Sequence, residues 1–219
     1  MKLLKSLLSI TAVSCLIAAP LSAQAGLTLK LNAGSGDIIF NVPVFDTVST
    51  NANYVIGVWT VNITGLGVNA PGNAIYGMDL NSITASSSAG GTLAISLSEN
   101  SLSFGAGGPT WVNGLIGGTV GGLGSSVAYS LYTDNTNALF GTGNLAFGGS
   151  AGPGAFSNSG GTTISLANPF SMSMFTTVKH TGAYRSSYDF SSVVPEPTSI
   201  ALVGLALLGL GVASRLRKT

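Results

Sequence analysis

The stretch Ser-Met-Ser-Met-Phe-Thr-Thr-Val-Lys-His at residues 171–180 shows most directly how this chain folds. Met172, Met174 and Val178 stand at every second position, and Thr176 completes the row. Side chains two residues apart lie on the same face of a β-strand, whereas a helix repeats every three or four residues. The pattern therefore predicts a strand over residues 171–180 with one buried face.

Four further stretches repeat this alternation. Their apolar positions are Leu27, Leu29 and Leu31; Val55, Trp59, Val61 and Ile63; Leu93, Ile95 and Leu97; and Val127, Tyr129 and Leu131. The second set is predicted to lie along one strand, Tyr54–Ile63, that runs through Gly57. Short strands separated by Gly, Asn and Ser predict an all-β body over residues 26–193, folded as an antiparallel β-sandwich or jelly roll with Gly-rich loops.

Glycine punctuates this body. It makes up 31 of the 219 residues, about twice its usual share. Paired glycines at 90–91, 107–108, 117–118, 121–122, 148–149 and 160–161 predict turns and loops. The region richest in glycine, residues 105–124, is predicted to be a long loop that carries Trp111.

The composition excludes several classes of function. Only 15 residues are charged, the formal net charge is +1, and there is no basic run in the body, so a nucleic-acid partner is not expected. One His and one Cys in the chain exclude a His/Cys metal cluster and a disulfide framework. The sequence therefore predicts neither a metal nor another cofactor.

The N-terminal residues have the three parts of a secretory signal peptide. Lys2 and Lys5 supply the basic part, and Leu7–Ala19 is an uncharged, mostly apolar stretch. Ala23-Gln24-Ala25 then provides small residues at a cleavage site, which places cleavage after Ala25. Thirteen residues are too few to cross a bilayer, which takes about 20. Residues 1–25 are therefore predicted to direct export.

The C-terminal residues form a second targeting element. Val194-Pro195-Glu196-Pro197 is followed by an uncharged stretch, Ser199–Ser214, and by the basic residues Arg215, Arg217 and Lys218 in the tail 215–219. Residues 199–214 would span about 24 Å as a helix, short for a bilayer but workable if the arginines reach toward the headgroups. The basic tail would stay in the cytoplasm. Two prolines remove two backbone donors and favour an extended motif that stays apart from the body.

This order of elements resembles the PEP-CTERM sorting signal of Gram-negative bacteria, also described as the ice-binding-protein C-terminal domain. The resemblance rests on Pro195-Glu196-Pro197, the apolar segment after it and the closing basic cluster. It implies recognition of residues 194–197 by an exosortase, a membrane enzyme that processes or transfers the protein. It also implies passage through the inner membrane to the surface or exopolysaccharide matrix of the cell. The alternative is that the prolines form only a rigid spacer before a membrane helix.

Catalytic motifs are weak. Gly148-Gly149-Ser150-Ala151-Gly152 matches G-x-S-x-G, but no acidic residue lies between Ser150 and His180, and glycines interrupt the helix that should follow. His180 is interpreted as a hydrogen-bonded structural residue, since a metal site with Asp189 would have only two ligands. The six carboxylates of the body stand singly. An enzyme such as a polysaccharide hydrolase would need two of them to face each other in one cleft.

The sequence thus predicts an exported, non-enzymatic surface or matrix protein associated with biofilm exopolysaccharide. The alternative is a carbohydrate- or ice-binding module, which requires an exposed face bearing an aromatic residue or an array of Thr and Ser. Trp59 lies in an alternating strand and is expected in the core. Trp111 is the candidate for stacking on a sugar ring.

Overall fold

The computed structural model describes residues 27–42, 52–68, 75–103 and 107–195. In these ranges the chain forms strands and no helix. The strands are β1 (Leu27–Asn32), β2 (Asp37–Val42), β3 (Ala52–Ile56), β4 (Trp59–Val68), β5 (Ile75–Ser87), β6 (Gly91–Leu102), β7 (Gly108–Val120), β8 (Ser126–Asp134), β9 (Asn144–Ala151), β10 (Gly154–Leu166), β11 (Phe170–His180) and β12 (Arg185–Pro195).

The strands form two six-stranded antiparallel sheets that pack face to face. Sheet A has the order β2-β1-β6-β11-β8-β9, and sheet B has the order β10-β7-β12-β5-β4-β3. Their inward faces enclose one apolar core. The predicted all-β antiparallel sandwich is confirmed, and the alternating stretches at residues 27–31, 93–97, 127–131 and 171–180 are the strands β1, β6, β8 and β11.

The central strands β11 and β12 join the two sheets across the core. Met172, Met174 and Val178 of β11 are fully buried, as the alternation predicted. Tyr188 of β12 is also buried, and its hydroxyl lies 2.7 Å from the hydroxyl of Thr176 on β11. Burial raises the pKa of Tyr188, so this phenol stays neutral and hydrogen-bonded inside the sandwich.

The run Tyr54–Ile63 is two strands, so the prediction of one strand is wrong. Gly57 has a φ of 57°, in the left-handed region that glycine adopts without a steric penalty, and the chain turns there between β3 and β4. The turn reverses the chain and places Val55 on the exposed side, whereas Trp59 is buried. The expectation that Trp59 lies in the core is confirmed.

The glycine-rich stretch 105–124 is mostly the strand β7, so the predicted long loop is also wrong. Several of its glycines are required by close packing within the sandwich. A Cβ atom on Gly114 would lie 2.3 Å from a ring carbon of Phe147, and one on Gly118 would lie 2.2 Å from the carbonyl oxygen of Ser187. The pairs 117–118, 148–149 and 160–161 likewise lie inside strands. Glycine here marks close approach of neighbouring groups.

His180 is buried and hydrogen-bonded, as the sequence predicts. Its Nδ1 lies 2.8 Å from the hydroxyl of Ser87, and its Nε2 lies 2.8 Å from the hydroxyl of Ser186. The Ser87 hydroxyl donates to the carbonyl oxygen of Gly182, so it accepts a hydrogen bond from Nδ1–H, and Nε2 of the neutral ring accepts one from the Ser186 hydroxyl. The ring of Trp59 lies 4.8 Å away between centroids. His180 faces the core, whereas Asp189 lies on the exposed side of β12.

Because burial lowers the pKa of His180 from its ordinary value near 6.5, acid should destabilise the fold. Between the two pKa values the unfolded chain binds a proton that the folded chain does not. We expect the free energy of unfolding to fall below pH 6.5, by at most about 1.4 kcal/mol per pH unit. His180 is the only histidine in the chain. Denaturant unfolding at pH 7.5 and 5.5 should show this loss in the natural protein and not in the His180→Gln variant; an equal loss in both would contradict the assignment.

A methyl group should be tolerated at Gly117 and not at Gly114. The Cβ of a Gly114→Ala variant would collide with Phe147, whereas that of Gly117→Ala would meet its nearest atom at 3.6 Å. Overpacking of this kind costs about 1–3 kcal/mol. Chemical denaturation of the two variants is the matched comparison. Equal stability would show that β7 does not pack against Phe147 as described.

Candidate functional site

The two outward faces of the sandwich differ in how far they are covered. On sheet A, the segment 135–143 folds back over β6 and β11. The Phe140 amide donates to the hydroxyl of Ser98 at 2.8 Å, and the hydroxyl of Ser171 donates to the carbonyl of Ala138 at 2.6 Å. Lys30 lies 4.5 Å from the centroid of the Phe140 ring. Outward-facing serines of sheet A are therefore buried.

Sheet B instead presents a broad face of small polar side chains to solvent. We call this surface the open face. Its outward residues are, strand by strand, Ser157, Ser159, Thr163 and Ser165; Trp111, Asn113, Leu115 and Thr119; Arg185, Ser187, Asp189, Ser191 and Val193; Asp79, Asn81, Thr84 and Ser86; Thr60, Asn62 and Thr64; and Asn53 and Val55. Hydroxyl and amide groups predominate in this set.

One part of the open face is concave and is lined only by polar residues. We call it the polar depression: a hollow of about 320 Å³ lined by Asn53, Thr60, Asn62, Thr84, Ser86 and Arg185. The strand register brings these residues together, since Asn62 stands opposite both Asn53 and Thr84. Arg185 and Thr60 stand on either side of Ser86. The hollow is therefore built by four adjacent strands, β3, β4, β5 and β12.

The polar depression offers donors and acceptors side by side. The Asn62 side-chain amide donates to the side-chain oxygen of Asn53 at 3.0 Å, which fixes the orientation of both groups. Hydroxyls of Thr60, Thr84 and Ser86 can donate or accept, and the Arg185 guanidinium only donates. Such a lining suits a ligand that carries many hydroxyl groups or a carboxylate.

A second hollow lies nearer the middle of the open face. It has a volume of about 220 Å³ and is lined by Leu115, Ile116, Gly117, Ser157, Asp189 and Ser191. Beside it lies Asp79 of β5, which stands opposite Ser191 of β12 in the strand register. Partial burial and the negative charge of Asp189 both raise the pKa of Asp79. We call this region the acidic depression.

The fold thus brings together two of the carboxylates that stand singly in the sequence. Both are already hydrogen-bonded. The Asn81 side chain donates to Asp79 at 2.7 Å, and the Ser82 amide donates to Asp189. Within the described ranges, there is no group of three or more His, Cys, Asp or Glu side chains placed to hold a metal ion.

The G-x-S-x-G sequence at 148–152 does not form a nucleophile elbow. Ser150 lies in β9 opposite Ala128, and Gly154 begins the next strand, β10. An elbow needs a turn from a strand into a helix. The serine is exposed at the edge of sheet A and is therefore not placed as a nucleophile.

Trp111 lies on β7 and faces outward, with half of its surface exposed. Its strand partner on β10 is Thr163. It therefore remains available for contact with a ligand, as the stacking hypothesis requires. It stands at the opposite end of the open face from Arg185, however, because β7 begins where β12 ends.

The described chain includes the start of the predicted sorting motif. Val194 is fully buried in the core, and β12 continues through Pro195, which stands opposite Ile75. The expectation that the motif stays apart from the body is thus wrong for its first two residues. Pairing with β7 ends at Val193, so the missing N–H of Pro195 interrupts nothing on that side.

The remaining targeting residues lie outside the described ranges. They are the cleavage site at Ala25, Glu196 and Pro197 of the motif, the segment 199–214 and the cluster Arg215, Arg217 and Lys218. Among the residues that the structure does describe, no helix is long and apolar enough to cross a membrane.

Sequence reasoning missed the residues of the polar depression. Thr60 and Asn62 alternate with the buried Trp59, Val61 and Ile63, so the polar side of that strand was a signal of an exposed face. No local sequence pattern connects Thr60 and Asn62 with Arg185. They lie near one another only because the strand order of sheet B places β4 and β12 on either side of β5.

Several solved structures share limited similarity with this sandwich. TmCBM61 in complex with β-1,4-galactotriose is 12% identical, with 58% of this chain and 86% of that chain covered and a TM-score of 0.34. The CBM36-1 domain of a multidomain xylanase from the hindgut metagenome of Trinervitermes trinervoides is 12% identical, with 62% and 95% covered and a TM-score of 0.26. A protein of the infectious bursal disease virus Gt strain is 11% identical, with 80% and 54% covered and a TM-score of 0.36. Similarity at this level carries no information about ligands.

The sequence comparisons identify the C-terminal element. No curated protein matches the sequence. Residues 193–218 match the family model described as the PEP-CTERM protein-sorting motif, which spans the motif, the apolar segment and the basic cluster quoted above. The chain therefore carries a PEP-CTERM protein-sorting motif, the signal for export and membrane-associated sorting in Gram-negative bacteria.

Proposed function

We propose that this chain is a non-enzymatic protein of the cell surface or extracellular matrix, which an exosortase-like membrane enzyme delivers and which binds exopolysaccharide through the open face. The observation that carries the first half is the sorting motif at residues 193–218. The observation that carries the second half is the polar depression.

The sorting half rests on charge and chain conformation. Glu196 is the only acidic residue after Asp189, so it is the one negative charge that a membrane enzyme meets beside the apolar segment. Pro195 and Pro197 on either side of it keep φ near −65° and remove two N–H donors. A short extended peptide of this kind fits a protease-like cleft.

The binding half rests on the residues that line the polar depression. A polysaccharide presents rows of hydroxyl groups, each of which must exchange hydrogen bonds with water for bonds with the protein. Three hydroxyls, two amides and one guanidinium in one hollow can make that exchange. Since the hollow is open and shallow, it suits an internal stretch of a long chain.

Three other activities are consistent with the open face. Ice binding would use its array of Ser, Thr and Asn side chains, and a glycan lying along β7 would stack on Trp111. A glycosidase would use Asp79 and Asp189 as an acid and base pair. Against hydrolysis, both carboxylates already accept hydrogen bonds from neighbours on β5, which hold them in structural roles.

Replacing Glu196 should stop sorting. We expect the Glu196→Gln variant to accumulate in the inner membrane, because the enzyme loses the charge on which it selects. Mass spectrometry of the C-terminus in fractionated cells is the measurement, with residues 215–219 retained in the variant and lost from the natural protein at the surface.

The matched control is Asp37→Asn, which removes one negative charge from the exposed start of β2. It should be sorted normally. If Glu196→Gln reached the surface with the same C-terminus as the natural protein, the motif would be no more than a spacer.

Removing the guanidinium from the polar depression should weaken binding to exopolysaccharide of the producing bacterium. A hydrogen bond from a charged group contributes about 1.5–3 kcal/mol, so the Arg185→Ala variant should bind about tenfold or more weakly. Affinity electrophoresis or calorimetry with the purified polysaccharide measures this change.

Lys179→Ala is the control, since Lys179 is an exposed cation on the outward side of sheet A. It should bind as the natural protein does. Equal loss in both variants would indicate non-specific attraction between charges. Release of new reducing ends would support the hydrolase, and inhibition of ice recrystallisation without polysaccharide binding would support the ice-binding alternative.

A further inference from the structure

Three apolar side chains are exposed on the open face between its middle and the end at which β12 finishes. Trp111 is 50% exposed, Leu115 is 51% exposed and Val193 is 36% exposed. We call them the base patch. Apolar groups clustered on a protein surface usually mark a contact with a partner or a membrane.

Strand register places the patch at the exit of the chain toward its sorting signal. Val193 stands opposite Asn113, which lies between Trp111 and Leu115 on the outward side of β7. Two residues farther toward the end of β12 is Pro195, and the residue at the same level of the antiparallel strand β7 is Trp111. Trp111 therefore lies at the strand end where the chain leaves the sandwich.

The covalent chain keeps this end close to the predicted membrane segment. Three residues, Glu196, Pro197 and Thr198, separate Pro195 from Ser199, and a fully extended chain covers at most about 14 Å over these four steps. A longer linker would let the sandwich move away from the bilayer. Here it cannot, so whenever residues 199–214 occupy the membrane, the base patch lies within reach of the headgroups.

The chemistry of the patch fits the bilayer interface. Trp combines an apolar ring with one N–H donor and is enriched where lipid meets water. The outward neighbours of Trp111, namely Pro109, Asn113, Thr163 and Ser165, carry no charge, so contact of this ring with lipid would desolvate no ionised group. Leu115 forms the margin of the patch, because it also lines the acidic depression with Asp189.

We propose that Trp111, Leu115 and Val193 seat the sandwich on the lipid surface beside its own membrane segment before the sorting enzyme acts. This inference rests on the membrane segment of the proposed function. It assigns Trp111 a contact with lipid, in place of stacking on a sugar ring. Arg185 begins the same strand that Pro195 ends, about 33 Å away at 3.3 Å per residue. The polar depression would therefore stay free to bind polysaccharide while the protein is still anchored.

The two tryptophans of the chain make this testable by fluorescence. Trp59 is 1% exposed, so a quencher outside the fold reaches chiefly Trp111. The full chain is reconstituted into phosphatidylethanolamine and phosphatidylglycerol vesicles that carry a doxyl group at carbon 5 or carbon 12 of the acyl chain. We expect the carbon-5 label to quench at least twofold more strongly than the carbon-12 label, and iodide quenching to fall severalfold on reconstitution.

The control is a tryptophan placed beyond the opposite end of β7. Leu123 is 84% exposed and follows the end of β7 opposite to Trp111. The double variant Trp111→Phe and Leu123→Trp moves the exposed tryptophan there, and its emission should be insensitive to both lipid labels and open to iodide.

Two results would overturn the inference in distinguishable ways. If the chain resists carbonate extraction but Trp111 is quenched by lipid no more than the reporter at position 123, the anchor stands and the base patch does not contact lipid. If the chain is extracted by carbonate, the membrane segment itself fails, and the base patch fails with it. If polysaccharide protected Trp111 from iodide and reconstitution into lipid did not, Trp111 would stack on sugar and the proposed lipid contact would be wrong.

Discussion

The position of β12 is the constraint on which the rest of this structure depends. The strand lies between β7 and β5 in sheet B, and Tyr188, Phe190 and Val194 fill the core beneath it. The same strand runs directly into the sorting motif. The fold and the sorting motif therefore share one segment of chain, residues 193–195. The start of the motif is held in the sandwich because Val194 is buried in the core.

This arrangement orders the chemistry of the open face along a single strand. Arg185, at the start of β12, lines the polar depression. Asp189, in the middle, lines the acidic depression, and Val193, near the end, belongs to the base patch. Charge and polarity thus decrease toward the end of β12 that runs into the sorting motif. This gradient agrees with the proposal that the protein is held at that end and binds a polymer at the other.

Sequence alone predicted the class of fold and the targeting elements, because both depend on local patterns. Alternation in residues 171–180 needs no knowledge of neighbours to predict a strand. The predictions were wrong where contacts between distant parts of the chain determine the local structure. Gly57 reverses the chain only because β3 and β4 pair, and Gly114 is required only because Phe147 lies against it. The polar depression was missed for the same reason, since Asn53 and Arg185 are far apart in the chain and meet only through the order of strands in sheet B.

Hydrogen–deuterium exchange across β12 tests the central claim most directly. In the full-length protein, the amides of residues 187–193 should exchange as slowly as those of residues 172–179 in β11, because both segments are paired on two sides. If residues 190–194 exchanged at the rate of an unstructured peptide while β11 stayed protected, the sorting motif would hang from a free tail, and the coupling between fold and signal would be refuted.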